Sequence, residues 1–462
     1  MHTLDDTHNP SLKSWVESAN DPSTDFPIQN LPLAAFMASH GDDDDLHAHA
    51  HEHLGMPIGD RIVDISTLAA SGILELDDET IDLLHMPTWA YFGVTGDFMT
   101  ELRKRVQDYL RADRPAGGQQ QRRLRDKCVI PIKDVELVSP VAVGNYTDFY
   151  ASIHHAATVG AMFRPDNALL PNYKHVPIGY HGRASSIVVS GTDIRRPKGQ
   201  QSPPDDAPQS GPTFGPCKLL DYELEVGCVI AQGNVQGEPI PLAIAQDHML
   251  GLILVNDWSA RDIQKWEYQP LGPFLAKNFA TTTSPFVVTL DALAPFRCPG
   301  PSRPDGDPKP LPYLTDAGDA QHGGFDIALE VLLQSAEMLK RGLSPIRLSK
   351  GSFRDMYWSM AQLIAHHTSN GCNLEPGDLL ASGTISGQAP DARGCLLELT
   401  WNGTDPASGK PRPRKPIELP TDEKRTFLAD GDTVIFRASC EREGCRRIGF
   451  GECRGTITPA LA

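Results

Sequence analysis

Turn-forming residues set the strongest limit on what this chain can build. It carries 40 glycines and 39 prolines in 462 residues, spread along its length between short β-branched runs. Both residues punctuate regular structure, so the pattern favours many short strands joined by turns over long helices. The runs fall at residues 135–143, 187–190, 219–230, 249–255, 286–290, 327–333, 396–401 and 433–436. They predict a mainly β fold: a large, mostly antiparallel domain over 131–462 with inserted helices, of which 353–367 is the clearest. Upstream, 1–30 is polar and Pro-rich and reads as an irregular lead-in. Residues 31–130 read as a smaller domain with strand-like pieces such as 58–65, an amphipathic helix over 89–110 and a basic linker over 111–127.

The formal charge of −17 argues against a nucleic-acid or anionic-membrane surface, since both need a net basic face. The longest clean apolar run, 249–255, is far below the ~18 residues or more of a membrane-spanning helix. Residues 1–6 lack the basic start and apolar stretch of a secretory signal. The nine cysteines are scattered, with no C-x-x-C pair, so a reduced cytoplasmic protein acting on a small molecule is expected. Residues 41–53 hold Asp42 to Asp45 and then His47, His49, His51 and His53. That tract suits either metal storage or a solvated surface loop, and its composition, which cannot bury a core, favours the loop. Residues 405–420, rich in Pro, Lys and Arg, read as another loop. A phosphate loop is approached at 403–410, but the spacing is one residue too long and Pro411 replaces the required Ser or Thr.

Three segments can carry chemistry. In 146–157, Thr147 or Asp148 would cap a helix that places Asp148 and His155 within about 20° of one face and roughly 10 Å apart. A capping Asp and a satisfied core His explain the same residues. In 219–226, a strand would point Glu223 and Glu225 to one side with their Cα atoms roughly 6.6 Å apart. A hard divalent cation would turn their repulsion into coordination, and a solvent-facing strand remains the alternative. At the end of the apolar strand 249–255, a helix beginning at Asp257 would align Arg261, Gln264 and Tyr268, as a binding stripe or as the wet side of the helix.

Taken together, these segments resemble the fumarylacetoacetate hydrolase family. The likeness rests on Tyr146-Thr147-Asp148-Phe149-Tyr150, on 179–186, on Lys218 to Asp221 with Glu223 and Glu225, on 256–268, on 270–275 and on 381–387, in family order over more than nine-tenths of the chain. The resemblance implies a small SH3-like barrel before a β-roll catalytic domain, a homodimer, and metal-dependent hydrolysis of 4-fumarylacetoacetate to fumarate and acetoacetate, the final step of tyrosine and phenylalanine degradation. It implies that Asp148, Glu223, Glu225 and Asp257 hold calcium or magnesium, that His155 activates water, and that Glu398 orients His155. It places Arg261, Gln264 and Lys277 at the developing oxyanion and Tyr150, Arg164, Tyr180, Gln264, Tyr268 and Thr384 on the substrate, with Lys277 and Thr281 at a second cation position. The departures at 41–53, 200–212 and 405–420 fall on no matched residue, so the chemistry is expected to be untouched. Relatives that cleave or isomerise other diketo acids or acylpyruvates share the cation site and form the alternative reading, although Arg164, Tyr180 and Gln264 favour the fumaryl substrate. A metal-binding protein on an inactive enzyme fold is a third.

Overall fold

The computed structural model describes residues 4–38, 51–84, 96–114, 118–164, 166–204, 206–405 and 407–462. Its apolar run becomes the strand Met249–Asp257, buried at every position. A strand covered on both faces reads as a continuous apolar stretch, because neither side needs polar residues. It pairs antiparallel with Leu224–Ile230, equally buried. This pair is the middle of a sheet ordered Gly179–His181, Tyr146–Phe149, Leu379–Ala381, Leu224–Ile230, Met249–Asp257, Thr281–Thr283, Ile187–Val189. Two of its ladders are parallel, Leu379–Ala381 with Tyr146–Phe149 and Thr281–Thr283 with Ile187–Val189.

The two faces of the central strand serve different cores. Leu252 and Leu254 pack with Phe436 and Phe450, from a second sheet ordered Ile346–Ser352, Ala328–Gln334, Thr433–Cys440, Ile448–Thr458, Ile194–Arg195. Ile253 and Val255 face the other way and share a core with Leu54, Met56 and Val63 of the N-terminal part. That part is built on a five-stranded sheet, Val129–Pro131, Arg61–Asp64, His51–Ile58, Ala34–Ala38, Glu136–Val138, whose last strand lies beyond Pro131. The lead-in is irregular but not loose. Buried Arg103, on the helix Gly96–Leu110, donates from Nη1 to Thr7 Oγ1 at 2.9 Å and from Nε to the Asn30 carbonyl at 3.2 Å. No described helix is long and apolar enough to cross a membrane, and all nine cysteines are free.

Several local readings change. Residues 58–65 are not one strand: a hairpin turn separates His51–Ile58 from Arg61–Asp64, and a helix starts at Ile65. From residue 119 onward the basic stretch expected as a linker is instead the helix Gln119–Cys128. The span 353–367 divides into a short turn, Phe353–Asp355, and the helix Met360–Thr368 with a Ser359/Gln362 capping box. Residues 396–399 form one turn of helix instead of a strand, because Asp221 accepts the Leu396 and Leu397 amides at 2.8 and 3.0 Å. A side chain distant in sequence thus overrides a β-like local pattern. The start of the helix expected over 89–110 and most of the acidic-histidine tract lie outside the described residues.

The end of that tract is no solvated loop. Residues 51–53 open a strand, and His53 is buried with Nδ1 2.9 Å from Asp64 Oδ2. Burial works to raise the Asp64 carboxyl, but the bonds from His53 and Thr67 outweigh it and leave it below its ordinary value. His53→Ala should therefore cost about 1–3 kcal/mol at neutral pH, as a buried carboxylate loses one of its donors, measured by urea denaturation. A carboxyl with a depressed folded value stabilises above its unfolded value and loses that contribution as pH falls. The deficit should accordingly shrink in acid, below about pH 3.8.

Candidate active site and metal centre

The carboxylates meet because neighbouring strands end together. Asp257 closes the central strand opposite Thr281, Glu225 lies opposite Val255 on the adjacent strand, and Asp148 lies opposite Tyr180 and beside Ala381. The strand expected over 219–226 is broken at Tyr222 and Glu223, between Leu220–Asp221 and Leu224–Ile230, but the Glu223 carbonyl still accepts the Asp257 amide at 3.3 Å, which keeps Glu223 beside the ladder. One oxygen from each of Asp148, Glu223, Glu225 and Asp257 lies within 4.8 Å of the others, and all four residues are buried.

Two helix expectations are corrected here. Residues 146–149 are a strand, and the helix is Ile153–Phe163, capped by Ser152 and not by Thr147 or Asp148. Asp148 and His155 therefore reach one site from a strand and a helix, not from one helical face. The helix expected from Asp257 begins at Arg261 and runs to Glu267, because Asp257 stays in its ladder with Thr281. Tyr268 caps its end.

Cations answer part of the buried charge. Arg261 Nη1 donates to Glu223 Oε1 at 2.7 Å. Lys277 Nζ donates to Asp257 Oδ2 at 2.8 Å and also to Glu223. Asp257 further accepts from Tyr180 Oη at 2.7 Å and Thr281 Oγ1 at 2.9 Å. Burial alone would raise Glu223, but Lys277 and Arg261 bring its carboxyl down to about 2. Asp148 and Glu225 are pushed well up, first by burial and then by the neighbouring carboxylates. Among the described residues, Asp148 Oδ1 and both Glu225 oxygens are buried with no hydrogen-bond partner. Three unpaired oxygens facing two partly committed carboxylates suit a hard divalent cation, which takes oxygen ligands and cancels their repulsion. Lys277 and Thr281 act here as donors to these carboxylates.

A second cluster lies alongside. His155 Nδ1 is 2.6 Å from Glu398 Oε2, both buried. The same oxygen accepts from Ser386 Oγ at 2.7 Å and Cys395 Sγ at 3.3 Å. Burial disfavours the Glu398 charge, yet His155 and these donors hold the carboxyl below its ordinary value. With Nδ1 so engaged, Nε2 remains for chemistry.

Both clusters border a cavity of about 670 Å³ whose wall includes Asp148, His155, Glu223, Arg261, Gln264 and Lys277. Tyr150, Arg164, Tyr180, Tyr268 and Thr384 line it as well, while Glu225, Asp257, Thr281 and Glu398 stand behind that wall. Gly383, which aims Thr384, has φ +76°, and a Cβ there would meet the Phe149 carbonyl at 2.1 Å, so only glycine fits. The loop 405–420, which holds no residue matched to the family, brings Pro411, Arg412 and Arg414 to the cavity wall. Asp221 and Ser386 lie in segments that carry the resemblance but were given no site role, and Cys395 was missed; small polar residues in buried segments carry no periodic signal.

A sequence profile of the fumarylacetoacetate hydrolase C-terminal region matches residues 145–458, and one of the fumarylacetoacetase N-terminal region matches 29–140. Fumarylacetoacetase of Homo sapiens is 46% identical, covering 97% of this chain and 99% of that protein. That of Bos taurus is 45% identical over the same shares, and that of Dictyostelium discoideum 44%, covering 97% and 98%.

The buried acids make a prediction about stability. A carboxyl whose folded value is raised stabilises when protonated and loses that contribution as pH climbs. Chelator-treated protein should therefore lose melting temperature between acid and neutral pH through Asp148 and Glu225. Glu225→Gln should melt higher than wild type in chelator at pH 7. Calcium or magnesium at about 100 times its dissociation constant should stabilise wild type by about 2.7 kcal/mol and the variant far less. A chelated Glu225→Gln that melts below wild type would contradict this.

Proposed function

The chain belongs to the fumarylacetoacetate hydrolase family, and from that membership we propose that it hydrolyses a carbon–carbon bond of 4-fumarylacetoacetate to give fumarate and acetoacetate in tyrosine degradation. The observation that carries the reading is the clustering of the Asp148, Glu223, Glu225 and Asp257 carboxylates beside the His155–Glu398 pair, with Asp148, Glu223 and His155 reaching the wall of one cavity. We take Asp148, Glu223, Glu225 and Asp257 as the residues that would hold the metal. Four carboxylate side chains favour calcium or magnesium over zinc. Such an ion, when bound, polarises the diketone oxygens and offsets the charge of the leaving enolate.

The protein's own groups supply the rest. His155 Nε2 takes a proton from water as the water oxygen bonds to the fumaryl ketone carbon. Glu398 stabilises the imidazolium so formed and keeps the ring in place. Arg261 Nη2, buried and without a partner among the described residues, is the donor left for the developing oxyanion, next to the Lys277 ammonium. The bond to the acetoacetate carbon then breaks, its electron pair leaves as the enolate, and a proton is returned to that carbon. Arg164, with a buried unpartnered Nε, and Tyr150, Tyr180, Gln264, Tyr268 and Thr384 contact the substrate on this reading.

In finer outline, the N-terminal part, whose sheet runs on to the strand Glu136–Val138 and so moves the expected boundary beyond residue 131, corresponds to the SH3-like barrel, and the chain beyond it to the catalytic β-roll of a homodimer. Exposed Leu271, Phe274 and Leu275 beside the cavity supply an apolar face that a second copy would cover.

The direct test follows loss of the diketone absorbance when purified protein meets fumarylacetoacetate, with acylpyruvates as competitors. Turnover of acylpyruvates alone would replace this substrate assignment. His155→Ala should lower turnover by about 10²- to 10⁴-fold, roughly 3 to 5.5 kcal/mol of barrier, with substrate affinity and metal content largely kept. Glu398→Gln should act in the same direction. His154, a half-buried neighbour about 100° away around the helix, provides the control, and His154→Ala should stay near wild type. An active His155→Ala beside a dead His154→Ala would reverse the assignment of the base.

A further inference from the structure

Asp221 belongs to neither cluster, yet it touches the supports of both. It sits in the two-residue strand Leu220–Asp221, opposite Ser259 and immediately before the Arg261 helix in space. Its side chain is fully buried. Oδ1 accepts the amides of Tyr222 at 2.9 Å and Leu396 at 2.8 Å. Oδ2 accepts the amide of Leu397 at 3.0 Å and Arg261 Nε at 3.0 Å.

Four donors on one carboxylate fill its lone-pair sites. Two of them are the first amides of the single helical turn Leu396–Leu399, which carries Glu398. So short a turn has little stability of its own and depends on its cap. The Arg261 bond uses Nε, while Nη1 is taken by Glu223 and Gln264. This leaves Nη2 as the unpartnered donor, and the two-sided grip fixes the plane in which it points.

We propose that Asp221 is a positioning residue that sets the distance and orientation between the water-activating pair, His155 and Glu398, and the oxyanion donor Arg261. The inference rests on the hydrolase reading above. Asp221 does not itself line the cavity. It acts by holding one support from each side of the reaction, and displacement of either by about 1 Å can cost about 10²-fold in rate.

The test is Asp221→Asn, nearly the same size. Both carboxylate oxygens face only N–H donors, so either orientation of the amide turns its NH₂ toward two donors and loses two hydrogen bonds. The expected result is a turnover number lowered about 10²-fold, a KM close to wild type and faster amide exchange at residues 395–400. In a Glu398→Gln plus Arg261→Ala background the same substitution should cost little more, since the groups it positions are gone. Full turnover in Asp221→Asn, or the same multiplicative loss in the altered background, overturns the proposal. If Asp221→Asn does not fold, Asp221→Glu, which keeps the charge but misplaces it, is put through the same cycle. Failure of both to fold assigns Asp221 to stability and also overturns it. Wild type inert toward fumarylacetoacetate would instead sink the hydrolase reading, and the amide-exchange arm still tests the tether without substrate.

Discussion

Four carboxylates buried within 4.8 Å of one another are the constraint to which the rest of this fold answers. At an effective dielectric of about 20, like charges roughly 4 Å apart repel by about 4 kcal/mol per pair. Water cannot relieve that cost inside a protein, so neighbouring elements must. The Arg261 helix and the segment holding Lys277 bring two permanent cations, and both engage Glu223. Asp148 and Glu225 are left uncompensated and shift toward neutrality. A structure selected for stability alone would place apolar side chains there. The arrangement makes physical sense as a receptacle for a hard cation, with Arg261 and Lys277 offsetting part of the carboxylate charge.

Such strain at the end of a strand requires a strand that cannot move. Met249–Asp257 is clamped on both sides: Leu252 and Leu254 are held by the C-terminal core, Ile253 and Val255 by the N-terminal one. Burying a side chain of this size contributes roughly 1.5–3 kcal/mol, so these four exceed the cost of any one repulsive pair. Apolar packing along the strand therefore supports the charged cluster at its tip.

Much of this was legible in the sequence where the signal is local. The continuous apolar run at 249–255 marks a doubly covered strand, and the close pair Glu223 and Glu225 marks the carboxylate cluster, although Glu223 falls in a break between two strands. The errors have a common cause in contacts between distant residues. Residues 396–399 look like a strand until Asp221 caps them, and the tail of the histidine tract looks solvated until His53 meets Asp64. The partnership of His155 with Glu398 spans 243 residues. No spacing rule could supply it, and only the resemblance to a family of known chemistry pointed there. Arg412 and Arg414 were given no role for the same reason, since a loop's composition says nothing about which cavity it borders.

The position of the helical turn Leu396–Leu399 shows how such a site can be precise without a rigid element of its own. An isolated turn of this length would not persist in water. Asp221 caps its start, and its far end is tied by Arg414, whose Nη1 donates to the Leu397 carbonyl at 2.8 Å and to Thr400 Oγ1 at 2.9 Å. Arg414 is in turn packed against the Phe427 ring, 4.7 Å from its centroid. The loop that looked like a surface departure thus closes one end of the element that carries Glu398, while the strand bearing Asp221 closes the other. Precision at Glu398 comes from these two long-range ties, and a change in either would displace Glu398 and with it the partner of His155.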